Sequence, residues 1–430
     1  MFRSVYGETT AHPQIAALLN NLGEAWDRLG EHMRAISYHE QTLQMYRSIY
    51  GQQTAHPDIA LSLLNIGTSL NCRGDYRTAI NHYEQALKMF KTVYGQTKAH
   101  PMVGISLNNL GGAWSHLGEH RKAVSYHEQA LEMYRSIYGP QTAHADIALS
   151  LNNLGGTWRE IGDYRKSICY YEQALKVNLK IYGDTSAHPH VATALTSLGK
   201  ALQDAGDHRA AISYCEQALH MYKVVYGKAT AHPDIATVLN SLGAAWDDLG
   251  EHRSAVSYHE QALEMRRGIY GQKTAHPDIA SSLNNLGAAW NREGNYKKAI
   301  SYYEQALQMF RSIHAQTTAH PHTIATILNN LGSVCTSLGE HRRAVSYNEQ
   351  ALQMYRSIYG QQMAHPNIAK SLHNQGIALY RLGDIKAAIR AVEEALAMAK
   401  QIYPEDNNHP LIKAFESNLA QISAVSADDI

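Results

Sequence analysis

One dipeptide sets the frame for the whole chain. His-Pro or its equivalent begins at His12, His56, His100, His144, His188, His232, His276 and His320, each 44 residues after the last. It returns at His365, one residue late because of an insertion within His320-Pro321-His322-Thr323-Ile324, and again at His409. Ala145 stands in for the proline of the fourth unit. A fixed period of this kind marks a stacked-repeat architecture, because one small unit cannot bury its own apolar faces and must pack on its neighbours. The period predicts nine complete units and a terminal half-unit, hence one elongated all-α domain over residues 1–430.

Each unit reads as two helices. The first opens at a proline such as Pro57, whose missing N–H costs nothing in a first helical turn. It carries an apolar stripe, as in Leu19, Leu22 and Trp26, and stops at a glycine such as Gly30, Gly74 or Gly118. Asp75, Asp163, Asp207, Asn295 or Asp384 then supplies a cap for the second helix, whereas Glu31, Glu119, Glu251 and Glu340 cap less well. The second helix runs through Ala-Ile/Val-x-Tyr-x-Glu-Gln-Ala-Leu to a closing Tyr-Gly, its glycine suited to the C′ position.

The run Leu107, Leu110, Gly111, Trp114, Gly118, Ala123, His127, Ala130 and Leu131 resembles the tetratricopeptide repeat, and the resemblance extends over essentially the whole chain. The long unit, the Leu-Asn-Asn-Leu-Gly core and the His-Pro-Asp-Ile-Ala opening are most similar to the kinesin-light-chain and nephrocystin-3 type. The resemblance implies a right-handed superhelix of nine 44-residue hairpins over 12–408, closed by a capping helix at 409–423 with a tail at 424–430. It departs from the shorter repeat by lacking a closing proline, so the second helix is expected to run longer. No heptad region for a kinesin heavy chain is present, so a motor function is not implied. The glycine found in all nine units, from Gly23 to Gly376, is expected where paired helices cross closely, and a side chain there would overpack the crossing.

Charge and motifs exclude several classes. Lys+Arg and Asp+Glu balance at 38 each, which leaves no electrostatic footprint for nucleic acid or an anionic membrane. Phosphate-binding, dinucleotide-binding, nucleophile-elbow and metalloprotease motifs are absent, so no catalytic residue and no cofactor is assigned. The inter-repeat histidines recur once per unit, too far apart to share an ion. The second-helix pairs His32/His39, His120/His127 and His252/His259 lie seven residues and so about 10 Å apart, where a helical metal pair needs i and i+4. These histidines are read as structural. Tyr76/Tyr83, Tyr164/Tyr171 and Tyr296/Tyr303 repeat the same pairing with tyrosine, and duplication of whole repeats accounts for it. The tryptophans Trp26, Trp114, Trp158, Trp246 and Trp290 share one repeat position and read as core packing. Cys72, Cys169, Cys215 and Cys335 are scattered, no Asn-x-Ser/Thr sequon or membrane-length apolar run is present, and the expectation is a reducing cytoplasm.

Binding is the expected role. In tetratricopeptide arrays the first helices line a concave surface, and the position corresponding to the asparagine ladder of such arrays is held here by Asn21, Asn65, Asn109, Asn153, Asn285, Asn330, Asn374 and Asn418, with Ser197 and Ser241 breaking the series. An amide carries both a donor and an acceptor and can pair with any peptide unit, so the resemblance implies an extended peptide or protein segment as partner. The alternative is that these amides bond to neighbouring helices. Asp27, Arg28, Arg159, Lys200, Asp247, Asp248 and Arg292 vary beside this constant frame, consistent either with partner discrimination or with surface drift. The carboxylate clamp of chaperone-tail binders is not expected, because its first lysine position holds Ala17, Leu61, Ile105 and Leu149.

Residues 1–7 align with 45–51, the end of a second helix, so the chain is expected to start inside a repeat and to fray or self-associate there. The leading reading is a protein-interaction scaffold. The second is a ligand-sensing or oligomerising array of a larger NTPase-type signalling protein.

Overall fold

The inter-repeat histidine does more than mark the period. In the computed structural model, which describes residues 11–183, 186–227, 230–317, 321–406 and 408–428, it is the N-cap of each first helix for which it is described. The Nδ1 of His12, His56, His100, His144, His188, His232, His276, His365 and His409 accepts the backbone N–H two residues on at 3.2–3.3 Å. The proline then occupies the first helical position. The tyrosine closing the preceding helix stacks on the same imidazole, with ring centroids 3.5 Å apart in Tyr50–His56, Tyr138–His144 and Tyr270–His276. The hydroxyls of Tyr50, Tyr138, Tyr226 and Tyr270 donate to Asp58, Asp146, Asp234 and Asp278 at 2.9–3.1 Å. One Tyr-His-Asp clip thus fixes both the start of a helix and its angle to the helix before it. His320 lies outside the described residues.

Among the described residues there are nineteen helices and no strand. The second helices are the longer ones: His32–Tyr50 has 19 residues against 16 in Pro13–Arg28. Their caps divide as side-chain chemistry requires. Asp75, Asp163, Asp207, Asn295 and Asp384 accept the N–H three residues on at 3.0–3.4 Å, whereas Glu31, Glu119, Glu251 and Glu340 make no such bond. The Gly51 backbone at φ 101° and ψ 144° leaves the helix in a conformation a side chain would resist. The seventh repeat shows the consequence of losing that glycine. His314-Ala315 replaces Tyr-Gly there, and the second helix continues to Thr317, 22 residues in all. The last helix, Pro410–Asp428, runs five residues past the expected end at 423. The expected helix remnant at 1–7 lies outside the described residues.

Packing divides the chain into two compact units, 1–221 and 222–430, with the division inside the helix His208–Tyr226. Within each, helices consecutive in sequence pack on one another, as Pro101–His116 does on His120–Tyr138, and the apolar residues form one large core with a smaller cluster beside it. That core includes Ile59, Leu63, Phe90, Leu110 and Leu151 in the first unit, and Leu283, Phe310, Leu331 and Ile412 in the second. The recurring glycine lies where a second-helix side chain crosses the first helix, a His or Tyr ring in six repeats and Cys215, Asn348 or Val392 in the others. A Cβ on Gly67 would stand 2.6 Å from the Tyr83 ring, and one on Gly111 would stand 2.5 Å from His127. The tryptophans are half-buried at the core edge, where Lys122, Lys166 and Lys298 ammonium groups lie 3.8–4.3 Å above the rings of Trp114, Trp158 and Trp290.

Candidate binding face

The asparagine series divides into two populations. Asn65 donates its amide to Asn20 Oδ1 at 2.8 Å, Asn374 donates to Asn329 Oδ1 at 3.2 Å, and the Asn418 amide meets His373 Nε2 at 2.8 Å. In these three the amide is held by the first helix of the preceding repeat. Asn109, Asn153, Asn285 and Asn330 are half-buried and Asn21 is exposed, and none of the five bonds through its side chain to another described residue.

The residue that precedes the ladder takes different partners in different repeats. In the third repeat the Nδ1 of the buried His127 donates to Asn108 Oδ1 at 3.1 Å, and Asn108 donates in turn to Ser150 Oγ at 2.9 Å. The sixth repeat repeats this with His259, Asn240 and Ser282 at 3.0 and 3.2 Å. Asn108 Oδ1 thus accepts from His127, and no bond from Asn153 reaches it. In the first repeat His39 Nε2 instead faces Asp27 Oδ2 at 3.5 Å, which leaves Asn20 Oδ1 to accept Asn65. Burial lowers the pKa of His127 and of His259 to about 4, with the Arg266 charge adding to the effect at His259. The leading asparagines (Asn20, Asn108, Asn240, Asn329) were not among the expected site residues. Three of them precede a ladder asparagine in Asn-Asn and Asn240 precedes Ser241, and adjacency does not tell which amide faces inward.

The variable charged residues are largely engaged between repeats. Asp27 Oδ1 bonds His32 Nδ1 at 3.0 Å, and its Oδ2 accepts from Ser69 of the next repeat at 2.5 Å. Asp247 is buried between His252 Nδ1 and Arg292 Nη1, each at 2.7 Å, and Arg292 also reaches Asp248 at 3.2 Å. Arg159 pairs with Glu160 at 3.0 Å and with Asp204 of the next repeat at 3.5 Å. Lys200 is half-buried and Arg28 exposed. Spacings of about one period, as in Asp247/Arg292, are the sequence trace of such cross-links. Among the described residues no group of three or more His, Cys, Asp or Glu is placed to hold a metal ion, and no helix is long and apolar enough to cross a membrane.

The sequence matches the tetratricopeptide repeat family profile at residues 14–92, 102–180, 146–224, 190–268, 280–312 and 323–401. No curated protein matches it significantly. Solved structures share the fold at low identity. A signal-transduction ATPase with numerous domains from Pyrococcus horikoshii, which has a tetratricopeptide repeat sensor, is 13% identical with a TM-score of 0.55, over 89% of this chain and 54% of that one. A Rap protein complexed with competence and sporulation factor is 13% identical with a TM-score of 0.51, over 86% and 99%. BtubC (BKLC) from P. vanneervenii is 20% identical with a TM-score of 0.46, over 56% and 92%. With its helix pairs, glycine crossings and 44-residue period, and with the profile matched along most of its length, the chain belongs to the tetratricopeptide repeat family.

Proposed function

We propose that the protein is a scaffold that binds an extended peptide or partner segment along the first-helix face, through the side-chain amides of Asn21, Asn109 and Asn153 in the first unit and of Asn285 and Asn330 in the second. Asn65 and Asn374 flank them in the same series but already bond within the array. What carries the reading is the set of five amides with no internal partner. Each offers a donor and an acceptor at one repeat position, the arrangement a peptide backbone can use whatever its side chains. Arg28, exposed and outside the cross-links between repeats described above, is the variable charge best suited to sense the partner's charge. A Rap protein in complex with competence and sporulation factor gives a precedent within this fold for recognition of another molecule.

The test uses a binder selected from a random peptide library on the full chain. The double variant Asn109→Ala/Asn153→Ala is expected to weaken that binder by roughly 1–3 kcal/mol with an unchanged circular dichroism spectrum. Equal affinity of parent and double variant would overturn the assignment. A second reading, a ligand-sensing array of a larger NTPase-type protein, draws on the Pyrococcus ATPase with its tetratricopeptide repeat sensor. An NTPase sequence joined to this chain in the native gene product would favour it.

A further inference from the structure

Six of the nine second helices place a ring at one repeat position, Tyr46, Phe90, Tyr134, Tyr222, Phe310 and Tyr355, while the sixth places Arg266 and the ninth Ala399. Five of these rings, from Phe90 to Tyr355, are no more than 3% exposed. The fourth repeat has Asn178 there, too short to fill the same space. A cavity of about 200 Å³ results, lined by Asp146, Leu149, Asn152, Asn178, His190 and Ala194. Its size is that of one substituted aromatic ring, since a cavity of roughly 150 Å³ suffices for benzene. Leu149, 53% exposed, is an unusually exposed apolar side chain at this site. The Asn178 amide folds away to donate to the His190 carbonyl at 3.3 Å.

The polar wall of the cavity is incomplete in the same place. Asn152 corresponds to Asn108, whose amide is held by His127 and Ser150. The counterparts of those two partners are Tyr171 and Ala194, and Asn152 Oδ1 is buried without a hydrogen bond. A buried, unpaired acceptor is costly and calls for an explanation. Asn284 is the control. It has lost the equivalent partners to Tyr303 and Ile327 and is also unpaired, but Phe310 supplies the ring at the cavity position of its repeat. Among the described residues, only the fourth repeat joins an unpaired acceptor to a vacant ring site in this way.

We infer that this cavity is a recognition pocket for a phenol ring, which fills the slot left by the missing aromatic and donates its hydroxyl to Asn152 Oδ1. The ring comes either from a tyrosine of a bound segment or from a free phenolic ligand. The pocket depends on its own walls and not on the asparagine ladder, so either assignment can fail alone.

Ligand-observed NMR titration of the full chain with p-cresol tests it, with toluene as the ring lacking a donor and N-acetyl-tyrosine amide as the side chain in a peptide setting. Saturable p-cresol binding is expected, roughly fivefold tighter than toluene, the ratio one net hydrogen bond provides. Asn178→Phe restores the ring of the sister repeats and is expected to abolish p-cresol binding while raising the melting temperature. Tyr171→His returns the partner that Asn108 has, and is expected to remove the preference for p-cresol over toluene while leaving the cavity open. This second variant keeps the test decisive if the first misfolds. Binding of the tyrosine amide as tight as p-cresol assigns the ring to a partner segment, and much weaker binding assigns it to a free ligand. Absence of saturable p-cresol binding, or equal binding by a folded Asn178→Phe variant, would overturn the inference, and unchanged binding by Asn109→Ala keeps it separate from the ladder.

Discussion

Between about pH 7 and about pH 4.5 the protein is expected to lose roughly 2–3 kcal/mol of stability at each of two buried histidines, enough to unfold a marginally stable array. His127 and His259 are 2% and 3% exposed and face asparagine oxygens rather than carboxylates. Burial holds each pKa at about 4 in the folded chain, against an ordinary value near 6.5 when unfolded. A histidine with a lowered folded pKa binds its proton more tightly when unfolded. Its contribution is therefore complete above the unfolded value and disappears as pH falls toward the folded one. One of the two rings lies in each compact unit, so both are affected. The capping histidines His100, His188, His276 and His365 are lowered in the same direction, chiefly by burial, and protonation at Nδ1 would remove the acceptor of each helix cap. Urea melts across this range measure the effect. The variant His127→Tyr/His259→Tyr, with the residue found at Tyr83 and Tyr171, should lose markedly less stability on acidification, because only the other histidines and the carboxylates remain to take up protons. An equal loss in parent and variant would exclude His127 and His259 as its cause.

The helical period, the proline starts, the Asp and Asn caps and the glycine crossings are legible in the residues alone, because each depends on interactions within a few positions or on a strict repeat. The seventh repeat follows the same logic, since exchanging Tyr-Gly for His314-Ala315 removes the stop and the helix extends. Side-chain partnerships are less legible, because one repeat position takes different partners in different units. The amide before the ladder is held by a histidine 19 residues on in the third and sixth repeats. In the first repeat it accepts from the ladder asparagine 45 residues on. Asp27 and Asp247 look like free variable charges until the next repeat is packed against them. The role of the inter-repeat histidine as a stacked N-cap was hidden for a similar reason: a His-Pro dipeptide does not reveal which way its imidazole turns.

Replacing Gly111 with Ala is expected to destabilise the protein by roughly 1–3 kcal/mol, although the exchange should favour an isolated helix. Glycine in a helix interior ordinarily costs about 1 kcal/mol relative to alanine, so relief of that cost and the new clash oppose each other. The added Cβ would meet Cε1 of His127 at 2.5 Å and its two ring nitrogens at 2.7 Å. The ring cannot withdraw freely, because it is buried and bonded to Asn108. The adjacent residue supplies the control: a Cβ on Gly112, in the same helix, would meet nothing within 4 Å. Gly112→Ala is therefore expected to be neutral or stabilising by up to about 1 kcal/mol. The ring also predicts non-additivity. In Gly111→Ala/His127→Ala the clash has gone and the methyl partly fills the vacated space, so the double variant should lose less than the sum of the singles. Chemical denaturation of the four chains reads all of these differences. If Gly111→Ala proves as stable as Gly112→Ala, the crossing can open by itself, and the glycine recurs for some reason other than the ring beneath it.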